Sequence, residues 1–340
     1  LTKVEDAFGR ERTRSLSICI MLSIAYGASL GGVATLVGTP PNMVLVSVYS
    51  NTFPDNPPIT FGNWILFGIP FAALMLLVSW LLLTKVIFRL DPTLRLDPET
   101  IRKEREGLGP MSFAEQNIAI VFAAAALLWI FRVDLNLGPV QIPGWTSLWA
   151  PLKAFNDGSI AIALALLLFL LPSQPDTSSE PILNSEVFAR VPWGIILLFG
   201  GGFAMAEGFS SSGLSQHIAG YFTSQDGMHP LVMISGVSFG ITFLTELTSN
   251  TATTQMLLPM LASTAVGLGM HPLFLMIPAT ISASMAFMLP VATPPNAIVF
   301  GSQRLSIMDM AKAGLVMNLV AFAVIVVMSY WFLPLIFKMG

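Results

Sequence analysis

Charge is scarce in this sequence. Asp, Glu, Lys and Arg make up 10% of its 340 residues, where an ordinary soluble domain carries about 25%. With 54% hydrophobic residues and a mean hydropathy of +0.75, that deficit excludes a solvated globular surface and puts the chain in the membrane class. A single cysteine, Cys19, excludes a disulfide framework and leaves the redox compartment open. The histidines, at 217, 229 and 271, lack metal-ligand spacing. Basic residues form no arm or block, and a formal net charge of −3 argues against a nucleic-acid partner. The alternation of a membrane β-barrel is missing as well. No signal peptide precedes the first apolar run and the first residue is Leu1, so the native N-terminus is expected to lie upstream.

What is present is a series of long apolar runs, a bilayer crossing needing about 20 residues. They cover 15–37, 64–88, 116–131, 159–171 (extending back to about Leu152), 193–209, 231–247, 272–289 and 311–337. Unpaired backbone in lipid costs several kcal/mol per group, so the runs are expected to be helical and the fold an all-α polytopic membrane protein. The run 193–209 is interrupted by Gly200-Gly201-Gly202. Lys3, Arg10, Arg12 and Arg14 crowd segment 1–14, and Arg89, Arg95, Arg102, Lys103 and Arg105 crowd 89–107. The positive-inside rule makes both segments cytoplasmic. Following the runs forward puts 134–156 outside and 173–191 inside. Arg304 and Lys312 then fall inside only if a unit between 229 and 269 enters and leaves by one face, as a re-entrant hairpin. The polar stretch 97–114 reads as a cytoplasmic connector. It separates residues 1–96 (broken helix 15–48, helix 64–88) from residues 115–340 (hairpin 229–269, broken helix 272–302, last helix 311–338).

A short motif occurs twice. Val37-Gly38-Thr39-Pro40-Pro41-Asn42 returns as Val291-Ala292-Thr293-Pro294-Pro295-Asn296, each copy in an apolar context and each followed by a polar loop and another apolar run. In those following runs Phe67-Gly68 aligns with Ala313-Gly314. The two copies cross in opposite directions on the loop count, which makes an inverted repeat. Two successive prolines remove two amide donors and bar the preceding residue from the α region, so a membrane helix breaks there. Matched breaks in two inverted halves point to a substrate site.

The stretch Thr245-Glu246-Leu247-Thr248-Ser249-Asn250-Thr251-Ala252-Thr253-Thr254 sits between two apolar runs and holds seven hydroxyl or amide residues in ten. Such oxygens suit a hard cation, and Asn also offers an amide donor to a carboxylate. The similar tripeptide Ser50-Asn51-Thr52 lies in a polar stretch and reads as an external loop with no ligand role. Lys, Arg and His stay at least ten residues from every one of these motifs apart from Arg304. Fixed basic side chains therefore do not neutralise an anion here.

Ser249-Asn250-Thr251 at a hairpin, with Phe287–Phe300 around the second Thr-Pro-Pro-Asn and Trp193–Gly202, resembles the divalent-anion/sodium symporters. That family includes the sodium–dicarboxylate and sodium–citrate cotransporters. The resemblance covers essentially the whole chain. It implies a secondary transporter, not an enzyme, in the plasma (inner) membrane. The implied activity is symport of sodium with C4-dicarboxylates such as succinate, malate and fumarate, by a homodimer working as an elevator. It implies substrate contacts at Ser249, Asn250, Thr251, Thr39 and Thr293, with Pro40 and Pro294 nearby. Sodium would be held by Thr245, Thr248, Asn250 and Ala292, and by the Gly38 carbonyl. Each half of such a protein carries one Ser-Asn-Thr hairpin, and the spacing from Thr251 to Thr293 would put the first-half hairpin just before Leu1. Citrate or sulfate as substrate, and proton coupling through Glu246 or exchange, stay open as alternatives. An intramembrane hydrolase built on Ser249 lacks a partner His or Lys.

Overall fold

The computed structural model describes every residue except 1–4, 6–7, 89, 92, 94–97, 138–139, 176–179, 191–192, 194–196, 198–199, 202–203, 205–207, 209–210, 214–228 and 338–340. Most of the apolar run 193–209, Gly202 included, therefore lies outside the described residues. The chain forms two compact units: Leu1–Ile59 with Trp64–Leu94 and Ile195–Gly340, and Thr60–Asn63 with Arg95–Gly194.

The first unit opens with α1 (Arg10–Val33), which stops before a 3₁₀ turn at Leu36–Gly38 and restarts as α2 (Pro40–Thr52). The restart is where the sequence demands it. Thr39 is extended, and the prolines take the first helical positions, where a missing N–H costs nothing. The tripeptide Ser50-Asn51-Thr52 corrects the sequence reading: it is the last turn of α2, not a loop. Helix α2 runs on through it because proline first appears at Pro54. Helix α3 (Phe61–Leu81) continues as a widened turn over Leu82–Ile87.

The second unit begins with the short polar helix α4 (Pro98–Gly107), inside the expected connector. Helix α5 (Phe113–Ile130) starts at a capping box, Ser112 accepting from the Glu115 amide while Glu115 accepts from the Ser112 amide. A two-stranded hairpin follows, β1 (Leu135–Leu137) against β2 (Val140–Ile142), a small departure from the all-α expectation. Helix α6 (Asp157–Leu168) is capped by Asn156. Its expected backward extension to Leu152 is instead a separate 3₁₀ turn, Ala150–Ala154, because Pro151 and the extended Phe155 interrupt the helix. Helices α5 and α6 pack together, with the Trp129 indole donating to the Asp157 carbonyl at 3.0 Å.

The first unit resumes with α7 (Pro230–Leu244), a turn, α8 (Asn250–Gly267) and α9 (Leu273–Ala283). Gly269, at φ +67°, ends α8, and the Met270 amide bonds back to Ala265 at 2.8 Å. After an extended stretch come α10 (Pro294–Gly301), α11 (Ile307–Trp331) and α12 (Leu333–Phe337). Met233 and Ile234 near the start of α7, Ala265 near the end of α8 and Leu275 at the start of α9 share one core cluster. The outer ends of α7 and α8 thus lie together, with the 245–249 turn at the opposite end. Helix α9 packs against both arms and is almost wholly buried. At 11 residues it is about 16 Å long, roughly half the hydrocarbon thickness.

Among the described residues four helical stretches are long and apolar enough to cross a membrane: Glu11–Val33, Phe61–Ile87, Phe113–Ile130 and Ile307–Trp331.

Candidate functional site

The two interrupted helices and the α7–α8 turn meet within the first unit. They enclose a cavity of about 670 Å³ lined from one side by Gly38, Thr39, Pro40 and Pro41, and from another by Val291 to Pro295. The turn residues Glu246 to Thr251 close the third side. The expected substrate contacts Thr39, Pro40, Ser249, Asn250, Thr251, Thr293 and Pro294 therefore come together at one place. Ser50-Asn51-Thr52 is not part of its lining.

The cavity's character follows from what ends there. Thr39, Ser249 and Thr293 are the N-caps of α2, α8 and α10. The Ser249 hydroxyl accepts from the Ala252 amide at 3.4 Å and the Thr293 hydroxyl from the Asn296 amide at 3.3 Å. Three helix N-termini thus face one volume, each worth about +0.5 charge. Among the described residues no Lys, Arg or His lines it, and Glu246 is the only ionisable lining residue. Free amides and hydroxyls at helix starts form an anion site without a basic side chain.

The oxygens expected to hold sodium are gathered less uniformly. The Thr245 hydroxyl has one proton to share between two acceptors, Asn250 Oδ1 at 2.6 Å and the Ala283 carbonyl at 2.9 Å, and it sits just behind the lining. Thr248 lines the cavity, but its hydroxyl donates to the Leu244 carbonyl at 2.9 Å and meets the Thr253 hydroxyl at 2.7 Å. Gly38 and Ala292 both line the cavity through their helix breaks. Gly38 is tight against α1: a Cβ on Gly32 would stand 2.9 Å from the Gly38 carbonyl oxygen. Only glycine permits that approach.

Both breaks are stabilised by the same device. The Asn42 amide donates to the Thr35 carbonyl at 2.9 Å, and the Asn296 amide donates to the Leu289 carbonyl at 3.0 Å. Each asparagine reaches seven residues back to a carbonyl at the break that also accepts a backbone amide, Thr35 from Gly38 and Leu289 from Ala292, each at 3.2 Å. Asn296 also donates to the Ala286 carbonyl at 3.1 Å. Two glycines bring the following long helices close: a Cβ on Gly68 would stand 2.6 Å from the Ala34 carbonyl oxygen, and one on Gly314 would collide with the Phe287 carbonyl and, at 2.5 Å, with the Met288 Cα. These are the two glycines that the repeat aligned. The duplicated motif thus has matching local geometry in both places.

The sequence matches, over residues 2–339, the family described as the sodium:sulfate symporter transmembrane region. The chain belongs to this symporter family. It is 39% identical over 93% of its length to the sodium-dependent dicarboxylate transporter SdcS of Staphylococcus saprophyticus, covering 59% of that protein. It is 38% identical over 99% of its length to the Na(+)/dicarboxylate cotransporter 3 of Mus musculus, again covering 59%. The chain thus spans about three fifths of the length of the curated relatives it matches. The relatives are transporters, not enzymes. Family membership together with the four long apolar helices makes this chain a multi-pass integral membrane protein.

Several lining residues of the cavity escaped the sequence reading. Ala28, Ser29 and Gly32 on the last turns of α1, and Ser284 at the end of α9, also face the cavity. Ser284 is 3% exposed and its hydroxyl has no partner. A helical run of small residues gives no sign in sequence of which turn will face a site. Asn42 and Asn296 stood in plain view within the duplicated motif, and their identical offset from two prolines was the available signal.

Proposed function

We propose that the full-length protein imports C4-dicarboxylates such as succinate, malate and fumarate by sodium-coupled symport, using this cavity as half or more of its substrate site. The observation that carries the reading is the convergence of the Thr39, Ser249 and Thr293 N-caps on one volume lined, among the described residues, by no basic side chain. Three helix N-termini offer about +1.5 charge to a dianion of −2. The remainder is a cation's task, and burying a dianion without it is prohibitively costly. Sodium is then cargo that travels with the substrate, not a resident cofactor. Thr245, Thr248 and Asn250 with the Ala292 carbonyl form one sodium site, and the Gly38 carbonyl contributes to another. Asn250 serves both solutes: its Oδ1 faces the cation set and its amide the carboxylate. The names of the relatives support dicarboxylate and sodium in this reading.

The same reading takes the α7–α8 pair as a re-entrant hairpin and the two broken helices as an inverted repeat. It places residues 1–14 and 89–107 on the cytoplasmic side of the plasma (inner) membrane, and the protein in the lipid bilayer as a homodimer with an elevator motion. The gathering of both outer ends of α7 and α8 in one cluster supports the hairpin. The matched asparagine bonds support the repeat.

The test is labelled succinate uptake into proteoliposomes by the full-length protein under a sodium gradient. Replacing sodium by potassium is expected to abolish uptake, and Asn250→Ala to abolish it at ordinary sodium without full recovery at high sodium. Unlabelled malate and fumarate are expected to compete better than citrate or sulfate. Uptake indifferent to sodium, or competition dominated by sulfate, would overturn the assignment.

A further inference from the structure

Among the described residues Glu246 is the one acid lining the cavity, and the substrate reading gives it no task. It is 4% exposed at the end of α7. Its Oε1 accepts from the amides of Phe287 at 2.7 Å and Met288 at 2.9 Å and from the Asn318 side chain at 2.8 Å. Its Oε2 accepts from the Leu289 amide at 3.1 Å. All four partners are N–H donors with nothing to accept, so the acceptor-only carboxylate satisfies each of them.

The identity of the three amides is informative. Had α9 continued, the amides of 287, 288 and 289 would have bonded to the carbonyls of 283, 284 and 285. The break at Ser284 denies them those partners, and buried amides left unpaired are costly. Glu246 replaces that missing turn with one side chain. Its neighbour Thr245 addresses the other side of the break, its one hydroxyl proton shared between the freed Ala283 carbonyl at 2.9 Å and Asn250 Oδ1 at 2.6 Å. The segment is further held by the Tyr26 hydroxyl, 3.2 Å from the Phe287 carbonyl. Residues 245–246 of the turn and residues 283–289 of the break are therefore one hydrogen-bonded piece.

We infer that Glu246 is a positioning residue for coupling: it locks the Ser249-Asn250-Thr251 turn to the break ahead of Thr293. The cation oxygens on the turn and the carbonyl of Ala292 then keep one spacing. This rests on the transport reading above, since the oxygens it positions are those assigned to sodium. Charge-assisted bonds to backbone are among the stronger ones in proteins, and losing their acceptor leaves three amides unpaired. Loss of the lock is felt first by the ion, whose ligands come from both pieces, and less by the rate once sodium is saturating.

The experiment uses full-length wild type, Glu246→Gln and Asn318→Ala in proteoliposomes, reading succinate uptake against sodium concentration. A sodium-induced rise in melting temperature in detergent is read alongside. Glu246→Gln is expected to raise the half-saturating sodium about tenfold or more, with most of the maximal rate recovered at saturation. Asn318→Ala removes one of the four donors, and is expected to raise it about two- to threefold. The melting response is expected to shift to higher sodium in the same order. Unchanged half-saturating sodium in Glu246→Gln overturns the inference. So does loss of the pH dependence of uptake at unchanged sodium response, which marks a proton relay. If Glu246→Gln does not fold, Asn318→Ala decides by the same criterion. A wild type that responds to sodium in neither assay overturns the transport reading itself, a result distinct from either.

Discussion

At the scale of single residues, the cavity depends on side chains that complete broken backbone. Asn296 makes two buried bonds, to the carbonyls of Ala286 and Leu289, where Asn42 makes one of the matching kind, to Thr35. Both asparagines are fully buried, so water does not replace them. Truncation removes these side-chain bonds, and within a membrane protein each is worth about 0.6–1.5 kcal/mol. Asn296→Ala is thus expected to cost about 1–3 kcal/mol and Asn42→Ala about half as much. Thermal unfolding of the full-length protein in detergent checks both, and equal losses would show that the two breaks do not share this device. None of this was readable beforehand. The sequence displayed both asparagines at the same offset from two prolines, but not the carbonyls seven residues back that they complete.

At the scale of elements, the decisive contacts are close approaches of helix to broken helix. Gly314 of α11 lies against the 287–288 backbone, and Gly68 of α3 against Ala34. Backbone cannot swing aside as a long side chain can. Gly314→Ala and Gly68→Ala are therefore expected to push the long helix away from the break and to lower both melting temperature and uptake. Gly27 and Gly236 are the internal controls, being helical with nothing within 4 Å of an added Cβ. There alanine is expected to be neutral or to stabilise by about 0.5–1 kcal/mol, since it only reduces the freedom of the unfolded chain. A Gly314→Ala protein that melts and transports like wild type would disprove the packing argument. The sequence reading had placed the breaks correctly from Pro40-Pro41 and Pro294-Pro295, because proline's missing donor is a local property. It had misjudged Ser50-Asn51-Thr52, because polar composition says little about a last helical turn. The β1–β2 hairpin went unseen for a similar reason: three-residue strands leave no periodic trace.

At the scale of the whole molecule, function belongs to the full-length protein, of whose relatives this chain matches 59%. The charge balance gives the expectation. A dianion held by helix N-termini alone leaves a deficit, so sodium and dicarboxylate are expected to raise each other's affinity, as linkage requires. Calorimetric titration of succinate at low and at high sodium checks this, and equal affinities would disprove coupling through the site.

The sequence by itself determined the membrane class, the helical breaks and the symporter family. Each of these is written in local chemistry: charge deficit, apolar run length, proline pairs and the Ser-Asn-Thr turn. Only the tertiary structure decided that the cap Thr39 and the caps Ser249 and Thr293, more than two hundred residues further along the chain, face one volume. Only it decided that Glu246 stands in for a missing helical turn. Free amides at a helix break must find some acceptor, but which one depends on what the fold packs beside them.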